Sequence, residues 1–137
     1  MGWKCFILDG PPRNGTSDYQ PGAMWIGDTD PRNPTEDANW NFVPSIEYLA
    51  GTMKPWWIAL PGPSYTIEGE EHKTLQYFAL GQRASGNPTG WVISGKPPNI
   101  TITPSIDCVG RYHGFVRDGI ITPDCEGRLF PHFPETV

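Results

Sequence analysis

Cys108, His113 and Cys125 fall within 18 residues, in SIDCVGRYHGFVRDGIITPDC, and their types could do chemistry together. Thiolate and imidazole are good ligands for zinc, which takes four protein ligands in a structural site or three plus a water in a catalytic one. His72 or His132 could complete the set. The spacing C-x4-H-x11-C matches no standard zinc module, and the chain has no CxxC. A second reading joins Cys108 to Cys125 in a disulfide, whose closed loop contributes about 3 kcal/mol in the chain-entropy picture. A third leaves the thiols unpaired and partly buried. It is the plainest, because three cysteines is an odd number for a disulfide scaffold.

A hairpin must position these side chains. Asp118-Gly119 is a strong signal for a two-residue hairpin turn, and residues 111–117 and 120–122 flank it. In that register Arg117 faces Ile120, Val116 faces Ile121 and Phe115 faces Thr122. His113 then faces Asp124, and Tyr112 faces Cys125. A His113–Asp124 pair would favour the imidazolium or fix the tautomer of the neutral ring, as acid–base chemistry or metal binding requires. Gly114 inside the strand marks a bulge, the close approach of a ligand or backbone, or a plain twist near the turn.

The remaining elements are short. Apolar runs at 3–8, 23–26, 55–60 and 90–95 read as strands bounded by Gly, Pro and Asp. Residues 65–68 alternate with period two, as a half-buried strand does, and 75–80 fit a strand or a helical turn. In 99–103 both isoleucines share a face, and Pro104 ends the strand. Ser45 caps one short helix over 46–50, which Gly51 stops. Residues 9–22 and 27–39 read as long loops. The expected fold is all-β, a single compact antiparallel sandwich or open barrel with one short helix. It spans 1–137, with a loop-rich part at 1–54 and a sheet core at 55–128.

Composition narrows the function. Ten Lys and Arg against 15 Asp and Glu give a net charge of −5, so nothing draws the chain strongly to nucleic acid. No apolar run approaches a membrane span. The opening MGWKCFILDGPP lacks a basic start before a long apolar run, so a reducing cytoplasm is the expected location. There is no GxSxG, HExxH, Walker loop or GxGxxG. Six tryptophans are the anomaly. Trp56 and Trp57 are adjacent, so in a strand they point to opposite faces, and the second ring must meet a loop, a partner subunit or a ligand. Trp56, Trp57, Trp91, Tyr112, His113 and Arg117 form the expected ligand-binding set.

The stretches GWVISGKPPNITITPSI and RYHGFVRDGIITPD resemble a family of small bacteriophage proteins of unknown function that circulate under the label "ammonia monooxygenase". QPGAMW and PSIEYLAG are similar to one branch of it. The resemblance implies a zinc site in those relatives that carry a Cys-His before the Phe-Val and an Asp-Cys-x-His after it. Here Tyr112 and Gly127 stand at two of those positions, and His113 and Cys125 match the others. Nothing in the residues supports the monooxygenase label.

The function expected from these features is a non-enzymatic phage accessory protein. Its role would be anti-defence, sequestering a small signalling molecule or blocking a host protein in the host cytoplasm. It would self-associate as a homo-oligomer and hold no cofactor, unless zinc sits on Cys108, His113 and Cys125. A virion component is one alternative. A small metal-dependent hydrolase using His113 is another.

Overall fold

The computed structural model describes residues 1–27, 29–30, 33–37, 42–43, 56–80, 82–83 and 92–137, and every regular element among them is a strand. The helix expected at 46–50 and Trp91 lie outside these residues. One sheet has the order β1 (Trp3–Lys4), β15 (Ile120–Ile121), β14 (Tyr112–Arg117), β13 (Asn99–Cys108), β12 (Val92–Lys96). A second has the order β10 (Leu75–Ala79), β7 (Trp56–Pro61), β3 (Ala23–Ile26), β2 (Phe6–Ile7). Three two-stranded ribbons accompany them. They pair β4 (Thr29–Asp30) with β5 (Asn33–Asp37), β6 (Phe42–Val43) with β11 (Gln82–Arg83), and β8 (Tyr65–Ile67) with β9 (Glu70–His72). No sheet closes into a barrel, and the architecture is an all-β sandwich.

The core lies where alternation puts it. Ile100, Ile102, Ile106, Tyr112, Val116 and Ile121 from the first sheet pack with Met24, Ile58 and Leu60 from the second. Each such aliphatic side chain contributes about 2 kcal/mol on burial. The alternate residues of the second sheet, Ala23, Trp25, Trp57 and Ala59, form another cluster with Tyr19 and Phe133. The second sheet is therefore covered on both faces, by the first sheet on one side and by the 9–22 loop and the C-terminal tail on the other.

Several elements differ from expectation. The run at 3–8 is split between the sheets at Cys5, which is 2% exposed. β2 then runs parallel to β3, with Phe6 beside Ala23. A parallel neighbour needs a long crossover, and residues 8–22 supply it, which accounts for the length of that loop. The segment 27–39 contains β4 and β5 rather than a plain loop. Tyr65, Thr66 and Ile67 are all exposed, so β8 and β9 form a projecting ribbon despite the alternating pattern. Pro104 does not end a strand: β13 runs on to Cys108 past a bulge, with Ile102 opposite Val116 and Ile106 opposite Gly114. A bulge tolerates proline because it leaves a ladder hydrogen bond unmade.

Candidate functional site

The hairpin forms as its turn chemistry dictates. Asp118 and Gly119 have φ of 49° and 75°, and Val116 and Arg117 pair with Ile121 and Ile120. Beyond Ile121 the strand ladder stops, and the chain takes over with other groups. Thr122 N–H donates to Phe115 O at 2.9 Å, and Phe115 N–H donates to Thr122 Oγ1 at 2.9 Å. Cys125 N–H donates to His113 O at 2.6 Å.

Asp124 does face His113, but its carboxylate holds the main chain and not the ring. Oδ1 accepts the His113 N–H at 2.7 Å and Arg128 Nη1 at 3.0 Å. Oδ2 accepts the N–H groups of Glu126 at 3.0 Å and Arg128 at 2.9 Å. The His113 imidazole instead lies with Nε2 3.0 Å from Ser105 Oγ. Asp107 is the cross-strand partner of His113, and side-chain donor atoms of Asp107, His113 and Glu126 all lie within 4.8 Å of one another. Glu126 Oε2 is also 2.6 Å from Arg128 Nη2. A polar cluster with one imidazole and two carboxylates thus occupies the outer face of β13 and β14, because Ile106 and Tyr112 point inward.

The other expected site residues go elsewhere. Tyr112 is wholly buried, with Oη donating to Thr122 O at 2.6 Å, and its ladder partner is Cys108, not Cys125. Burial pushes its phenol pKa up, with the Thr122 side-chain hydroxyl opposing part of the rise. Trp56 packs half-buried on the inter-sheet core, while Trp57 is buried on the opposite face, stacked on Trp25 with its Nε1–H donating to Gly27 O at 3.1 Å. The second ring is covered by this chain's own loop and tail and is not available to a ligand. Arg117 is at the surface, its guanidinium 4.2 Å from the Phe115 ring centroid. His72 stacks on Tyr65, and His132 Nε2 is 3.0 Å from Glu71 Oε1, so neither joins His113.

None of the three cysteines is in a disulfide. Cys108 is half-buried and Cys125 is exposed, and neither belongs to the donor cluster around His113. Burial pushes the Cys5 thiol up to about 12. Its thiolate is the reactive form, so Cys5 is expected to resist alkylation in the native protein at pH 8 while Cys125 reacts. Mass mapping after brief iodoacetamide treatment, native against urea-unfolded, checks this. Labelling of Cys5 at the rate of Cys125 in the native protein would contradict its burial.

A groove opens where the C-terminal tail crosses the sandwich, with a volume of 420 Å³. Trp3, Phe130, Phe133, Leu129 and Pro134 give it apolar walls, and Arg128 reaches its edge. Trp3 Nε1–H donates to Phe133 O at 3.0 Å, which pins the tail to β1. Sequence reading missed Ser105, Asp107, Glu126 and this groove. The alternation Ser105, Ile106, Asp107 carried the signal for two of them, and ending the strand at Pro104 concealed it. Among the described residues no helix is long and apolar enough to cross a membrane. The chain matches no protein-family model, no curated protein and no solved structure.

Proposed function

We propose that this chain is a non-enzymatic binding protein of the phage accessory kind its hairpin sequence resembles, sequestering a small signalling molecule in the host cytoplasm. The observation that supports this reading is the groove beside the tail. Its 420 Å³ lies within the range of small-molecule sites, roughly 300–1,000 Å³. Aromatic and aliphatic walls with a few polar groups at the edge suit a flat ring system. Both Arg128 nitrogens that reach carboxylates are committed to Asp124 and Glu126, and the net charge is −5, which disfavours a polyphosphate. Nucleosides and cyclic mononucleotides are therefore the first probes. Self-association belongs to the same reading, and light scattering on the purified protein measures it.

Saturation-transfer NMR with adenosine, guanosine and cyclic mononucleotides tests the groove. Ring-proton saturation is expected for at least one of them. Leu129 is 87% exposed, so Leu129→Asp leaves the fold intact and is expected to weaken that binding at least tenfold. If every probe is silent, or if Leu129→Asp changes nothing, the groove is not the binding site.

A further inference from the structure

The geometry points to a divalent-cation site formed by Asp107, His113 and Glu126 on the outer face of the first sheet. Their donor atoms already lie within 4.8 Å of one another, and exposed carboxylates need only small rotations to close on one ion. One imidazole and two carboxylates form a borderline-hard N,O set that suits a first-row dication such as Zn²⁺ or Mn²⁺, with water completing the shell. This donor set differs from Cys108, His113 and Cys125 and shares only the histidine with it.

Three features prepare the set. Asp107 and His113 are register partners on neighbouring strands, so the ladder fixes their separation. One buried carboxylate, Asp124, accepts the N–H groups of both His113 and Glu126 and so ties the main chains of two ligands to one point. Ser105 Oγ lies 3.0 Å from His113 Nε2 and steadies the ring, as outer-shell partners of metal-bound histidine do. The charges also call for a cation. Arg128 is the guanidinium paired with Asp124 and Glu126, and Asp107 brings a third carboxylate to the same cluster. A dication between Asp107 and Glu126 removes the remaining repulsion.

Zinc is the probe, titrated into the full chain against a fluorescent chelator at pH 7. A 1:1 complex is expected. The double variant Asp107→Asn, Glu126→Gln and the single variant His113→Ala should each weaken it at least tenfold, whereas Cys108→Ser and Cys125→Ser should leave it within twofold. Mn²⁺ supplies a second readout on the unaltered protein: amide signals near residues 107, 113 and 126 should broaden first. Zinc affinity lost with either cysteine, or kept in the carboxylate double variant, would overturn the assignment, as would Mn²⁺ broadening centred elsewhere. None of these measurements involves the groove ligand.

Discussion

Asp124→Ala is expected to lower the unfolding free energy by about 3 kcal/mol, read from the urea midpoint at pH 7. The Asp124 side chain is fully enclosed, and it accepts three main-chain N–H groups and one guanidinium nitrogen. Truncation leaves those donors facing a small hole. An asparagine keeps the shape but turns an NH₂ toward some of the same donors, so Asp124→Asn should recover only part of the loss. The pH dependence has a definite sign. Burial alone would raise the Asp124 carboxyl, but hydrogen bonds from the Arg128 and His113 main chains, the Arg128 charge and the Glu126 N–H outweigh it and hold the pKa below the ordinary range. The folded chain thus binds this proton less readily than the unfolded chain. Asp124's stabilisation is complete above the unfolded value of roughly 4 and is lost as the pH falls through the lower folded value. Urea midpoints between pH 7 and pH 3 should fall more steeply for the unaltered protein than for Asp124→Asn. Parallel curves would show that Asp124 is not a source of the acid sensitivity.

Gly114→Ala is the second large effect, again about 3 kcal/mol. The added Cβ would land on Tyr112 Oη, 2.6 Å from Cζ of the same ring and 2.9 Å from Thr122 Oγ1. Tyr112 is wholly buried and cannot swing away, so the ring or the strand must shift. The glycine is there because the Tyr112 hydroxyl crosses over it to reach Thr122 O. Tyr112→Phe alone should cost about 1 kcal/mol for the lost hydrogen bond. In the double variant the oxygen clash is gone while the Cζ contact stays, so the two losses should sum to more than the measured total. Strict additivity in urea unfolding would mean that the glycine serves the backbone alone.

Local chemistry made part of this legible. Asp-Gly dictated the 118–119 turn and its flanking register, and alternation placed Ile100 and Ile102 inside. Gly114 was recognisable as a site of close approach, but not what approached it. Tyr112 is two residues away on the same side, and only the inward face of β14 decides that its ring enters the core. Trp57 failed as a surface anchor because Tyr19 and Phe133, from segments with no periodic pattern, cover it. The Asp124 carboxylate was expected to meet an imidazole, since side-chain pairs are what a ladder register offers. The ladder ends at Ile121, and a strand end leaves main-chain donors to satisfy first. Asp107 reaches His113 through the register shift between Ile102 and Ile106, whose size no residue pattern sets, and Glu126 is brought there by the Asp124 carboxylate.

The seating of β1 has a consequence for synthesis. Trp3 pairs with Ile121, and the tail returns to the same place, with Thr136 N–H donating to Gly2 O at 2.8 Å. During synthesis Gly2 and Trp3 therefore wait for residues 121 and 136 before they find their edge. Until then Trp3 and Cys5 have no roof, and the inner face of the second sheet, with Met24, Ile58 and Leu60, is open to other nascent chains. Such long-range closure makes for slow folding and an early need for chaperones. Stalled chains ending before residue 120 should be bound by trigger-type chaperones and cut by protease, while the released full chain is neither.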